Sequence, residues 1–136
     1  MSAIANIAIQ DGQATPVTHT FVPIKSGLES QWRENQAGLP LIGQPTITSV
    51  LKLNSQNGLN RVKMVLELPA LETATAANSQ GYTAAPKVGY SNRITIDMVL
   101  PSRGTSAQRK DLRVLARNLL ADAVVVDLID NLNTSY

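Results

Sequence analysis

The chain has no cysteine. Disulfides, thiolate nucleophiles and cysteine-based metal sites are therefore excluded, and cysteine usage says nothing about redox compartment. Histidine occurs once, as His19, within a predicted strand, where it reads as a surface or packing residue. No second histidine, Gly-rich phosphate loop or carboxylate cluster accompanies it, so no enzyme active site, cofactor or metal is expected. Asp127 and Asp130 lie three apart near the C-terminus without further partners and read as the polar edge of a helix. Aromatic residues make up 4% and charged residues 16% of the chain. A net charge of +2 is too small to mark a nucleic-acid binder by composition, so any basic surface must be local. No apolar run reaches membrane-spanning length, and MSAIANIAIQDG lacks the basic and apolar regions of a signal peptide. The expectation is a soluble, cytosolic protein without a membrane partner or a small-molecule substrate. With 136 residues it can form one domain with a core of its own, and no internal repeats are visible.

What is present is concentrated in residues 45–69, PTITSVLKLNSQNGLNRVKMVLELP. From Arg61 the pattern has period two: Val62, Met64, Leu66 and Leu68 point one way, and Arg61, Lys63, Val65 and Glu67 the other. Before it, Ile47, Leu51 and Leu53 alternate with Thr48, Val50 and Lys52. Asn57-Gly58 between the two runs tolerates the positive φ of a tight turn, and Pro45 and Pro69 bracket the unit. This predicts a hairpin with one apolar face and one face carrying Lys52, Arg61 and Lys63.

Other strands are predicted on the same grounds. Ala5, Ile7 and Ile9 alternate with polar or small neighbours, and Asp11-Gly12 offers a turn into a strand near residues 15–23. Leu28, Ser30 and Trp32 suggest a third strand, closed by the Gly and Pro of QAGLP, Gln36 to Pro40. Residues 71–89 are small, polar and turn-prone, and read as one long functional or interfacial loop. A final strand runs from about Tyr90 to Leu100, with Ile94, Ile96 and Met98 on one face and Arg93, Thr95 and Asp97 on the other.

After Pro101 the period becomes helical. Thr105 and Gln108 form a predicted capping box, and Leu112, Leu115, Ala116, Leu119 and Leu120 line one side of a helix. Arg109, Lys110, Arg113 and Arg117 lie opposite, as a solvated face rather than a phosphate-binding stripe. Asp122 can cap a second helix, ADAVVVDLIDNLN, which is apolar nearly all round. Strands first and helices last predict an α+β fold, an antiparallel sheet with helices on one face. Two short helices cannot cover so many strands, so a homodimer is expected in which each chain's helices lie across the partner's sheet.

Three segments in order carry a family resemblance: QAGLP leading into the 45–69 hairpin, the strand opening Tyr90-Ser91-Asn92, and the tail from Thr105 to Tyr136 with its two helices and terminal Tyr. Together they resemble the coat proteins of single-stranded RNA bacteriophages, the levivirus group, and look closest to its Q-beta-like branch. The resemblance implies an N-terminal β-hairpin, a five-stranded antiparallel sheet and two C-terminal helices that interlock in a homodimer. It divides residues 1–136 into a sheet region, 1–100, and two dimerisation helices, 105–132. It further implies a virion protein, assembled in the host cytoplasm, whose dimers build an icosahedral capsid. Its inner sheet face binds an RNA hairpin at the start of the replicase gene, represses translation and marks the genome for packaging. The long loop gathers at the vertices of such shells, where relatives of the Q-beta branch place cysteines that this chain lacks. The alternative is a non-viral dimeric β-sheet module that binds RNA or DNA without forming shells.

The RNA-binding residues expected on these grounds are Thr48, Lys52, Asn57, Arg61, Lys63, Tyr90, Asn92 and Arg93. The cations supply phosphate contacts, and Tyr90 could stack an unpaired base while Asn92 reads its edge. Arg61 and Lys63 match family positions that touch RNA, whereas Val65 stands where a lysine is frequent. Parity leaves two alternatives open. Tyr90 and Asn92 share phase with Ile94, so either a bulge near residues 92–93 turns them to the RNA face or Ser91 and Arg93 take that place. Likewise a gapless family match selects Ile47, Ser49 and Leu51, while alternation favours Thr48 and Val50.

Overall fold

The structure, a computed structural model, describes residues 3–54, 56–72, 81 and 84–134. Six strands form one antiparallel sheet in sequence order: β1 (Ile7–Gln10), β2 (Thr18–Lys25), β3 (Glu29–Glu34), β4 (Thr46–Lys52), β5 (Leu59–Leu71) and β6 (Val88–Pro101). Helices α1 (Ser106–Leu120) and α2 (Ala123–Asp130) follow. The α+β class is as expected, and the N-terminal hairpin continues the main ladder through Phe21, which pairs with Ile7 on one side and Glu34 on the other.

Several boundaries differ from those expected. The first turn is wider than Asp11-Gly12: Asp11 N–H donates to Val17 O at 3.1 Å, and β2 starts only at Thr18. A bulge between Pro23 and Lys25 lets β2 pass a residue that has no N–H to give the ladder. The turn between β4 and β5 spans positions 53–58, not two residues. Asn54 Oδ1 accepts from Gln56 N–H at 3.0 Å, Asn57 Oδ1 accepts from Leu59 N–H at 3.2 Å, and Gly58 takes φ +65°. The predicted loop 71–89 is shortened at both ends. β5 runs to Leu71 and β6 begins at Val88, and Glu72 N–H still donates to Lys87 O at 2.9 Å. Most of the remaining loop lies outside the described residues, so its expected place at shell vertices has no counterpart here.

Both helix caps form as predicted. Thr105 Oγ1 accepts from Gln108 N–H and Gln108 Oε1 accepts from Thr105 N–H, completing the capping box. Asp122 Oδ1 accepts from Val124 N–H at 3.0 Å. What the helices lack is a partner. Neither has a buried residue, and beyond the β6–α1 junction they pack little against their own sheet. Among the described residues, the buried apolar side chains are Phe21 and Ile47. Gly43 is buried under Leu71, where an added Cβ would come within 2.9 Å of that side chain.

Candidate RNA-binding face

Directly paired residues of an antiparallel sheet project to the same side, so the register assigns every side chain of β3–β6 to a face. One face carries the rows Lys52–Arg61–Val99, Val50–Lys63–Asp97, Thr48–Val65–Thr95 and Thr46–Glu67–Arg93, followed by Pro69–Ser91. The other carries Leu51–Val62–Met98, Ser49–Met64–Ile96 and Ile47–Leu66–Ile94. Polar and apolar residues are therefore separated by one pleat.

Five of the residues expected from the sequence share the first face: Thr48, Lys52, Arg61, Lys63 and Arg93. Asn57 sits in the connecting turn and lines a hollow with Lys52, Asn54 and Arg61 at the same end of the sheet. Tyr90 and Asn92 do not join them. Tyr90 pairs with Ala70 and Asn92 with Leu68 in unbroken register, so both belong to the face of Ile94. The nearest register shift lies at Ala70/Leu71, beyond Tyr90, and no bulge intervenes near residues 92–93. Ser91 and Arg93 occupy the cationic face instead. Ile47 and Ser49 likewise lie opposite Thr48 and Val50, on the apolar side.

The register also adds one residue that sequence reasoning overlooked. Arg33 on β3 pairs with Thr46 and so extends the Thr46–Glu67–Arg93 row on the cationic face, one strand beyond Thr46. Only the β3–β4 alignment, set by the chain between Gln36 and Pro45, could have placed it.

Two carboxylates interrupt the positive surface. Asp97 meets Arg61 at 3.0 Å. Glu67 Oε1 accepts from Arg93 Nη2 and from Ser91 Oγ, each at 3.0 Å. Those two donors, the guanidinium first and the hydroxyl second, hold the Glu67 carboxyl below the usual carboxylate range. Lys52 and Lys63 have no ion pair among the described residues. They line a shallow hollow with Val50, Arg61 and Asp97. The turn reinforces their charge, because Asn54 and Asn57 aim their carbonyl oxygens at backbone N–H groups and keep their amide NH₂ groups as donors. Ammonium groups and amide donors around an open sheet surface suit an anion spread along a chain, such as a phosphate backbone.

Among the described residues, no group of His, Asp and Glu could hold a metal ion, and no helix is long and apolar enough to cross a membrane. His19, read from the sequence as a surface or packing residue without clustered carboxylates, in fact lies between Asp11 and Glu34. The two carboxylates approach opposite ring nitrogens, so they cannot converge on one ion.

A six-stranded antiparallel sheet followed by two helices is the fold of the RNA phage coat proteins, which are structural proteins and not enzymes. The solved virus-like particle of bacteriophage ESE058 has this fold with a TM-score of 0.90 and 31% identity, covering 99% of this chain and 100% of that one. The capsid protein of Pseudomonas phage PP7 is 30% identical over 127 residues, 93% of each chain. That of Pseudomonas phage PRR1 is 29% identical over 135 residues, 98% of each. The levivirus coat protein family matches residues 2–136, and the chain belongs to it. PP7 and PRR1 represent branches other than the Q-beta-like one, so the narrower placement expected from the sequence is not supported by these relatives.

Proposed function

We propose that this coat protein assembles through homodimers into an icosahedral shell and binds single-stranded RNA on the Lys52/Lys63 face of its sheet. The observation that carries the reading is the division of surfaces. The cationic face is open, while the opposite face and both helices expose Ile94, Ile96, Leu115, Leu119, Val124 and Ile129. Those apolar groups suit a second copy of the chain, whose helices would cover the sheet and leave the cationic side free. In this arrangement residues 1–136 act as one unit, with the sheet contacting RNA and the helices joining copies. Kinship with the particle-forming ESE058 protein supports shell formation. Recognition of a genomic hairpin, with packaging and translational repression as its consequences, follows from the family resemblance and from the donor-rich face.

The test is filter binding of the purified dimer carrying Lys52→Ser and Lys63→Ser. Affinity for all RNA sequences should fall together. The slope of log affinity against log salt should flatten by about 0.7–0.9 for each phosphate no longer neutralised. Wild-type affinity and slope would show that RNA does not use this face.

A further inference from the structure

The His19 bridge joins three separate pieces of the fold. His19 lies on β2, Glu34 ends β3, and Asp11 opens the turn that follows β1. Nδ1 stands 2.8 Å from Glu34 Oε1 and Nε2 stands 3.1 Å from Asp11 Oδ2. The other carboxylate oxygens are also engaged. Asp11 Oδ1 accepts from Val17 N–H at 2.9 Å and Gln13 N–H at 3.3 Å, and Glu34 Oε2 accepts from Gln36 Nε2 at 2.9 Å.

Both contacts can be hydrogen bonds to carboxylates only if both ring nitrogens carry a proton. A neutral imidazole has one N–H, so its other nitrogen would turn a lone pair toward a carboxylate oxygen about 3 Å away. The surroundings, mostly apolar, relieve that repulsion only in part. The hollow around the ring is lined otherwise by Ile9, Gln10, Phe21, Pro45, Leu66 and Leu68, and the His19, Asp11 and Glu34 side chains are 29%, 20% and 12% exposed. From every element around the ring, Asp11 and Glu34 are the titratable groups that face it, Gln10 and Gln36 being neutral.

We propose that His19 is a proton-dependent latch that tightens the join of the β1–β2 hairpin to the main sheet when charged and loosens it when neutral. The hairpin is also held without proton dependence by the β2–β3 ladder, from Phe21–Glu34 to Lys25–Gln31, and by Trp32 Nε1 donating to Ala5 O at 2.9 Å, so deprotonation loosens the hairpin without freeing it. The sign follows from the bonds. Hydrogen bonds to Asp11 first and Glu34 second raise the His19 pKa above its ordinary 6.5. The latch is therefore complete below that value and is lost as pH rises through the raised one. The Asp11 carboxyl is held below its ordinary 3.8, chiefly by the Val17 N–H and then by His19, so it stays ionised throughout that window. This latch is independent of the RNA-binding reading, because it lies on the apolar side of the sheet.

Hydrogen exchange of the assembled full-length protein tests it, with rates corrected for intrinsic pH dependence. Between pH 6 and pH 9, peptides covering residues 7–10 and 18–25 should lose protection severalfold, while β5 peptides stay unchanged. His19→Gln should give low, pH-independent protection in the same peptides. If that variant does not assemble, Asp11→Asn should move the wild-type midpoint to lower pH. Constant wild-type protection, an unaltered pH profile in His19→Gln, or an unmoved midpoint in Asp11→Asn would overturn the latch.

Discussion

At the scale of single residues, the cationic face is set by parity. Arg61 and Lys63 were legible because one alternating run places them opposite Val62 and Met64, and the structure preserves that run unbroken. Tyr90 and Asn92 came from a motif likeness that conflicts with the same alternation, and the register from Leu59 to Ala70 follows the alternation. The identity of neighbours could not be read. Nothing in the linear sequence aligns Asp97 with Lys63 or Arg33 with Thr46, because pairing depends on the lengths of the intervening turns. A direct consequence is testable by gel shift against cognate and scrambled hairpins. Arg93→Ala should weaken RNA binding severalfold, whereas Tyr90→Ala should leave both affinity and preference near wild type. A loss of roughly 1–3 kcal/mol confined to the cognate hairpin in Tyr90→Ala would show that a base stacks there after all.

At the scale of elements, local signals were the reliable ones. The Thr105/Gln108 box and the Asp122 cap depend on residues within one turn, so they appear in the sequence as they do in the fold. Strand ends were less legible. Composition suggested a loop from residue 71 and a strand from Tyr90, yet cross-strand bonds carry β5 to Leu71 and β6 back to Val88. Ala, Gly and Pro are poor strand formers by propensity, and a partner strand overrides that preference. The His19 bridge was invisible for a related reason, since its two carboxylates arrive from positions 8 and 15 residues away. Thr105→Ala removes the acceptor for Gln108 N–H and should cost about 1 kcal/mol. A melting temperature lowered by several degrees would agree with that cost, and an unchanged one would mean that other interactions hold the start of α1.

At the scale of the whole molecule, the chain is incomplete alone. A chain of 136 residues has enough material for a core, yet the helices bury nothing and Leu115 and Leu119 are 66% and 61% exposed. Apolar area of that extent, rimmed by charge, calls for a protein partner. Leu128→Asp should therefore eliminate particles, because the interface would have to bury an unpaired carboxylate at a cost of roughly several kcal/mol. Size-exclusion chromatography and electron microscopy of the expressed variant check this, and a wild-type particle yield would contradict it.

The central claim is that RNA lies on the Lys52/Lys63 face. The remaining lysines, Lys25, Lys87 and Lys110, lie outside that cluster, on β2, before β6 and on α1. Lysine-directed cross-linking of packaged RNA in purified particles, with mass spectrometry of the adducts, distinguishes these surfaces directly. Nucleotide adducts should concentrate on Lys52 and Lys63, whereas adducts confined to Lys110 would move the RNA to the helices and contradict the account.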